Sequence, residues 1–523
     1  MFLHELLLLL LLQVTLIDAV HLCPLLGPSW PAPTGLSSDA TVQAALKNIT
    51  QTLQDVSNAG KFSGASLSLE IFDTSSSDAL LTYAYTAKEI NTTLGVSKVD
   101  ENTVFRIGST SKMFPMFLIL IQSGFKTLQD PISKYIPEIK AAAADIQRNS
   151  TKRNNGNDYT NWDDITVGEL ASHLAEFFDG LFQSHPIVPP SSTPIYSNAA
   201  FQILGYVVEA LAGGEDFEKV LKHKITKPLN MAHTFYTTPS SSLGVIPSYQ
   251  GEYWWDFDIG EEAPAGGIFS SAKDMSTFGR AILNSTLLPR STTRRWLKPL
   301  THTSSLDYAV GAPWEILSFG NERPIDLYTK SGDIGTYSCV LSLDPDHNAG
   351  FVLLGAGNST HVSLALASDL VAESLLPALE QAAKNQAHAR FAGTYALGTG
   401  NSSITITTDD GPALVVTSWV NNGTNMLQSY MALNGITDPS MLDIRLYPTG
   451  LESPGQLSFR AVIPPPLPSG VGPFSSSCIS WVTLDSRVYG NVGIDEFVFN
   501  LDGKGNVVSV SPRVLRTVLS NVN

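Results

Sequence analysis

The sequence predicts an α/β sandwich with a helical subdomain, followed by a C-terminal all-β module. Three observations carry this reading. An amphipathic helix and then a hairpin open the folded part. A long stretch from about residue 113 to 300 reads mostly as helix and loop before β character returns. Beyond residue 385, strand-length runs separated by turn signals take over.

The opening helix is written in Val42, Ala45, Leu46, Ile49, Leu53 and Val56, whose spacing lines one face from Thr41 to Val56. Asn58-Ala59-Gly60 is its stop. Ala65 to Phe72 and Ala79 to Tyr85 follow as two strands around the polar run 73–78. The very apolar run Met113 to Ile121 is a buried helix, and Ala199 to Ala212 is a second, closed by Gly213-Gly214. The polar segment Asn149 to Asp164 reads as an exposed insertion. Tyr337 to Leu343 and Gly350 to Gly355 pair across Asp344-Pro345-Asp346-His347-Asn348, and a helix from Val362 to Lys384 ends the first domain. In the tail, Ser403 to Thr407, Ala413 to Trp419, Gln456 to Val462 and Glu496 to Leu501 read as strands of a barrel or sandwich, with Pro464-Pro465-Pro466 in a loop.

A chain of 523 residues, 43% hydrophobic and 15% charged, is globular and long enough for two or three domains. A formal net charge of −16 argues against nucleic acid or an anionic membrane as partner. The unbroken apolar run Leu6 to Leu12, with small Ala19 after it, reads as a secretory signal cleaved near Ala19-Val20, although the preceding residues offer His4 and Glu5 and no cation. A membrane span needs roughly 20 apolar residues, and this run is much shorter, so no stable membrane anchor is expected. Sequons start at Asn48, Asn91, Asn149, Asn284, Asn358, Asn401 and Asn422, which fits a glycosylated, extracellular protein. Of the three cysteines, Cys339 lies in an apolar strand and reads as a buried hydrophobe. That leaves Cys23 and Cys478 to form one disulfide. The expected division is a signal peptide over 1–19, an N-terminal arm over 20–40, a main domain over 41–385 and a β domain over 391–523.

Chemistry is carried by three short motifs in one order. Ser109-Thr110-Ser111-Lys112 sets a serine and a lysine one helical turn apart on one face. Tyr196-Ser197-Asn198 precedes a firm apolar helix, and Lys330-Ser331-Gly332 lies on a predicted strand where a substrate could pair with the edge. A lysine held against a serine away from water can lose its proton and act as base. A tyrosine, with an ordinary pKa of about 10, needs nearby cations to do so, and Lys112 and Lys330 would be those cations. Each motif alone is weak: the serine–lysine spacing recurs at Ser123/Lys126 and Ser270/Lys273, and the tyrosine–asparagine spacing at Tyr159/Asn161 and Tyr489/Asn491. Ser109 differs by opening the apolar helix, where backbone N–H groups can face a ligand. Ser123 lies at a helix end, and Ser270 reads as the start of a surface helix.

With these motifs in this order the chain resembles the serine β-lactamases and penicillin-binding proteins, the class C branch above all. The likeness extends to Phe105-Arg106-Ile107-Gly108, to 128–137, to Ile165-Thr166-Val167, to Leu170-Ala171-Ser172-His173, to Ala199-Ala200-Phe201 and to Ala265-Gly266-Gly267, covering about residues 40 to 385. The tail from Phe391-Ala392-Gly393-Thr394-Tyr395 looks like the β domain some relatives append. With the signal and sequons, the whole is similar to secreted fungal β-lactamase-like proteins.

The resemblance implies a β-lactamase/transpeptidase-like fold and a serine hydrolase working through an acyl-enzyme. Ser109 would attack a carbonyl while Lys112 and Tyr196 share its proton. Backbone N–H groups of Ser109 and Asp333 would stabilise the oxyanion. Asn198, Ser331, Gly332 and Asp333 would contact substrate, with Asn198 orienting the acyl side chain. Lys330 would tune Tyr196 and attract negative charge. Departures from the family pattern are Ser331 where threonine is usual, Asp333 directly after the third motif, and Ala175-Glu176 where Ser-Gly is usual. They turn the expectation from a β-lactam toward an ester, amide or peptide.

An acyltransferase would use the same residues, differing only in what takes the acyl group. A silent binding protein on this fold would have no need of Ser109, Lys112, Tyr196 and Lys330 together. No Gly-x-Ser-x-Gly or His-Glu-x-x-His is present. Asp344, Asp346 and Asn348 lack the glutamate that a calcium loop needs, so they read as a hairpin turn. Neither metal nor cofactor is expected, and the expected partner is a small-molecule or peptide acyl substrate rather than an obligate protein. Tyr253-Trp254-Trp255 reads equally as a groove lining or a packed loop.

Overall fold

The computed structural model describes residues 23–62, 64–175, 185–320, 323–463 and 478–522. The expected signal peptide, Glu176 and the Pro464-Pro465-Pro466 loop lie outside the described residues. The described residues form two compact units: one within 34–319 and 326–379, the other within 23–33, 320–325 and 380–522.

In the first unit, Asp39 caps the helix Ala40–Asn58 by accepting from the N–H groups of Thr41 and Val42, and Val42, Leu46, Ile49 and Leu53 form its buried face. Ser66–Asp73 and Leu81–Tyr85 pair as the expected hairpin. They join an eight-stranded sheet, in spatial order Leu81–Tyr85, Ser66–Asp73, Ala349–Ala356, Tyr337–Asp344, Ile325–Ile334, Glu315–Phe319, Tyr308–Val310 and Thr301–His302. The three short strands between 301 and 319 are absent from the sequence reading.

Ser66–Asp73 is buried at all positions because both faces of the sheet are covered. On one face Glu70 accepts from Ser276 Oγ, and a Cβ on Gly279 would meet Phe72, both on the helix Ala272–Leu283. On the other, Leu67 and Leu364 converge on Gly355, which places the helix Thr360–Phe391 there. That helix is long and apolar enough to cross a bilayer by length and composition. Leu364, Ala367, Val371, Leu375 and Leu379 are buried, however, as in the core helix of a sandwich.

The helical subdomain centres on Met113–Ser123, whose residues from Met113 to Leu120 are all buried, packed against Ala199–Leu211. Phe114 and Phe117 reach Phe278 of the helix Ala272–Leu283, so one core joins subdomain and sheet. The cap of that last helix is Ser271, whose hydroxyl accepts from Asp274 N–H; Ser270 is in a two-residue strand paired with Phe105. In the segment 149–164, Trp162 is buried although its neighbours are polar. At 344–348 the Asp344 carboxylate caps a hairpin turn, accepting from the N–H groups of Asp346 and His347.

The second unit is a barrel. Its nine-stranded sheet runs Ser403–Thr407, Gly393–Ala396, Leu519–Asn521, Val507–Pro512, Glu496–Leu501, Gln456–Val462, Arg445–Ser453, Leu414–Asn421 and Thr424–Asn425. Pairing of Leu414–Asn421 with Ser403–Thr407 closes the ring and removes its long edges. A helix, Met426–Asn434, interrupts the all-β pattern expected there, and its Tyr430 packs on Trp419. The N-terminal segment belongs to this unit. Trp30 enters the barrel core and donates to Glu380 Oε1, and Cys23 is joined to Cys478 by a disulfide.

Candidate active site

The site forms where the turn Gly108–Lys112 passes beneath the strand Ile325–Ile334. The approach is close because two glycines face each other. A Cβ on Gly108 would lie 2.6 Å from Asp333 N, and one on Gly332 would lie 2.1 Å from Ile107 O and 2.6 Å from Ser109 N. Gly108 also has a φ of +50°, which a side chain would strain. Thr110 Oγ1 donates to Lys330 O and Ser111 Oγ accepts from Ile268 N, fixing the turn on both sides of the nucleophile candidate.

Ser109 and Lys112 share a face of this turn, and Lys112 Nζ is 3.0 Å from Ser109 Oγ. Lys112 is 0% exposed, and its Nζ also reaches Asn198 Oδ1 (2.7 Å) and Ala265 O (2.8 Å). Asn198 stands at the start of the helix Ala199–Leu211 without capping it. Ser197 Oγ accepts from Ala200 N instead, which frees the Asn198 side chain for the lysine. Burial, and then the charge of Lys330, push the Lys112 ammonium well below its ordinary value, against the weaker pull of Glu315 and Glu262. A neutral amine fits these contacts. Its two N–H bonds go to Asn198 and Ala265, and its lone pair faces the Ser109 hydroxyl.

The Tyr196 hydroxyl donates to Ser109 Oγ at 2.5 Å. Its ring stacks on His173 with centroids 4.6 Å apart, and Lys112 and Lys330 Nζ lie 4.8 and 5.6 Å from its centroid. Nearly half of the residue is open, but the hydroxyl end is turned in onto Ser109. Burial of that end raises the phenol above its ordinary value. Lys330 and the Ser109 hydrogen bond pull the other way, and Glu315 and Asp333 add to the rise. Tyr196 is therefore a phenol and a donor. The expectation that two lysine charges would make it a base does not allow for the burial of its hydroxyl end, to which Glu315 and Asp333 add.

Lys330 is buried, with Nζ 2.5 Å from Glu315 Oε1 and 2.7 Å from Ser331 O. The other Glu315 oxygen accepts from Ser331 N (2.9 Å) and Ser331 Oγ (2.7 Å). Burial pushes the Glu315 carboxyl up, but Lys330 and the Ser331 hydrogen bonds outweigh it and hold the group below the ordinary carboxylate range. The Asp333 carboxylate takes no part in this pair. Its Oδ1 is 2.5 Å from Ser338 Oγ and its Oδ2 is 3.0 Å from His361 Nδ1.

A family model described as "Beta-lactamase" matches residues 75–376. The chain belongs to the β-lactamase family. Its fold is the β-lactamase/transpeptidase-like sandwich with a C-terminal β-rich barrel, and the family is one of hydrolase-like proteins. A second model, "Beta-lactamase-like-like, C-terminal domain", matches residues 383–523. A "Beta-lactamase-like protein" of Arthroderma benhamiae is 28% identical over 597 aligned residues, covering 96% of both chains. "Probable hydrolase M10" of a Phoma species is 24% identical, covering 95% of this chain and 90% of its own. A solved D-alanine carboxypeptidase of Burkholderia cenocepacia is 16% identical with a TM-score of 0.49, covering 64% of this chain and 99% of its own.

In this family member, Ser109, Lys112, Tyr196, Asn198 and Lys330 come together as one cluster. Ser331 is beside them, but its hydroxyl is taken by Glu315; Gly332 gives the close approach, and Asp333 forms the rim. The decoy pairs do not join: Ser123 Oγ bonds back to Ile119 O, and Tyr489 is exposed in the barrel unit. Of the sequon asparagines, Asn91 is half-buried and the other six are exposed. Trp255 is buried, whereas Trp254 lies over Gly335, two residues beyond Asp333. Arg106, buried beneath, donates to the carbonyls of Trp254 and Phe257.

Two functional neighbours are missing from the sequence reading. Glu315 lies in Trp314-Glu315-Ile316, a carboxylate alternating with apolar residues, which is the one signal that could mark it. His173 falls within a quoted likeness but without a role. Its Nδ1 accepts from Ser197 N, and burial, then Lys330 and Lys112, lower its pKa to about 3, so it is a neutral shelf under Tyr196.

Proposed function

We propose that the chain is a secreted serine hydrolase that carries the acyl group of an ester, amide or β-lactam-like substrate on Ser109. The observation that carries the reading is the pair of contacts at Ser109 Oγ, with Lys112 Nζ 3.0 Å away and Tyr196 OH 2.5 Å away.

Lys112, neutral in its pocket, takes the Ser109 proton as Oγ bonds to the carbonyl carbon. The oxyanion is met by the N–H groups of Ser109 and Asp333, the segments that Gly108 and Gly332 allow to approach. Tyr196 gives its proton to the leaving group as the carbon–heteroatom bond breaks, and the Lys112 ammonium restores it. Water then repeats the sequence in reverse, regenerating Ser109. Asn198 and Ala265 O hold Lys112 in place throughout.

The test is intact-mass spectrometry of the folded chain and its Ser109→Ala variant, with a p-nitrophenyl ester and a penicillin. A one-to-one acyl adduct, or turnover, lost in the variant is expected. No adduct and no turnover would favour a silent binder. The secretory part is supported by the Cys23–Cys478 disulfide and the exposed sequons. Chain secreted from a eukaryotic host should begin at Val20 and lose mass on enzymatic removal of N-glycans.

A further inference from the structure

The site carries information about the charge of its substrate, and the inference rests on the Ser109 acyl-enzyme reading above. The Lys330–Ser331 pair, a cation beside a hydroxyl, has the chemistry to hold a substrate carboxylate. Here both groups already hold one. Glu315 accepts from Lys330 Nζ through one oxygen and from Ser331 N and Oγ through the other. An anionic substrate would have to displace a carboxylate that the chain itself supplies.

A second carboxylate stands further along the same strand. The Asp333 backbone abuts Gly108, the residue before the nucleophile, and its side chain is 46% exposed. Its partner His361, with Nδ1 3.0 Å away, is 74% exposed at the start of the helix Thr360–Phe391. A contact so open to water is weak and readily exchanged for a cation. Tyr196, the proposed proton donor to the leaving group, stands beside this strand: Lys330 Nζ, held by Glu315, is 5.6 Å from its ring centroid. The leaving group therefore departs next to the strand that carries Ser331 and Asp333.

We infer that the subsite bounded by Ser331 and Asp333 takes a leaving group bearing a positive charge, an alkylammonium or a quaternary ammonium, and turns away carboxylates. Asp333 attracts the cation in exchange for His361. Glu315, by neutralising Lys330, removes the competing preference for anions.

Three aryl acetates test this, alike except for a meta substituent: trimethylammonio, tert-butyl or carboxylate. Each is measured with the full chain, with Ser109→Ala, with Asp333→Asn and with His361→Gln. Intrinsic ester reactivity cancels when each variant is compared with the unmodified chain. Asp333→Asn should lower kcat/KM for the cationic ester, relative to the neutral one, by about fivefold and raise that for the carboxylate ester. His361→Gln should shift both ratios the opposite way. Ratios unmoved in both variants, with turnover that Ser109→Ala abolishes, would overturn the charge preference and leave the acyl-enzyme intact. Turnover of all three that is absent, or unaffected by Ser109→Ala, would overturn the acyl-enzyme reading and this inference with it. Near-ultraviolet circular dichroism verifies that each variant is folded, and His361→Gln carries the test if Asp333→Asn is not.

Discussion

Lys330 Nζ and Glu315 Oε1 lie 2.5 Å apart, joining two neighbouring strands of the sheet directly behind Ser109. The lysine is buried, so its ammonium has no water to replace the carboxylate. Glu315→Gln keeps the shape but strands the charge, and should destabilise the first unit by about 3 kcal/mol, as in other buried pairs that lose one member. The pH dependence has a definite sign. The native carboxyl titrates below its ordinary value of 4.5, so the unfolded chain binds the proton more readily. The stabilisation is then complete above about pH 4.5 and is lost as pH falls through the lower native value. Denaturant midpoints from pH 3 to 7 should show that acid loss in the unmodified chain and a flatter curve in the variant.

Lys112 is argued to be the base, and its titration should therefore appear in the rate. Burial and Lys330 lower its pKa well below the ordinary 10.5. The free amine grows as pH rises through that lowered value. Single-turnover acylation by an activated ester should increase with pH as one deprotonation and level off well before pH 10. Lys112→Arg keeps a charge but cannot deprotonate, and should slow acylation by about 10³-fold. A rate in Lys112→Arg close to that of the unmodified chain would remove the lysine from this role.

Tyr196→Phe separates proton donation from nucleophile activation. Because burial keeps Tyr196 a phenol, its part is to protonate the leaving group. A p-nitrophenolate needs no proton to leave, whereas an amine does. The variant should lose about tenfold on a p-nitrophenyl ester and about 10³-fold on the matching anilide. Equal losses on the two would mean that the tyrosine acts before the bond breaks.

Much of this arrangement was legible because it is local. Ser109 and Lys112 are one helical turn apart, Gly332 follows Lys330 on a strand, and the barrel strands Ser403–Thr407, Gln456–Val462 and Glu496–Leu501 alternate strongly enough to read directly. Glu315 was not legible. Its strand spans Glu315–Phe319 after a segment broken by Gly311 and Pro313, and its partner is fixed by sheet pairing. The helix Met426–Asn434 hides in a β-rich tail because one buried residue, Tyr430, gives it no periodic signature. The place of Trp30 in the barrel core depends on contacts hundreds of residues away in sequence, beyond any local pattern. The phenol state of Tyr196 follows first from burial of its hydroxyl end, a product of tertiary packing, and so was out of reach of any local pattern.

Gly332→Ala tests whether the close approach of the two backbone segments is what makes the site. The new methyl would lie 2.1 Å from Ile107 O and 2.6 Å from Ser109 N, atoms held by the turn and unable to swing aside as a side chain could. Relief requires the strand and the turn to separate, at about 1–3 kcal/mol for overpacking of this kind. Separation also pulls apart the Ser109 and Asp333 N–H groups, so acylation should fall by about 10²- to 10³-fold, the loss expected of a displaced oxyanion donor. Gly398→Ala is the matched control, since a Cβ there meets open space, and it should leave both stability and rate unchanged. Measuring the two variants together separates the general effect of a lost glycine from the specific one. A folded Gly332→Ala chain that still acylates at the full rate would show that the N–H pair tolerates a gap, and that Ser109 depends on its lysine and tyrosine alone.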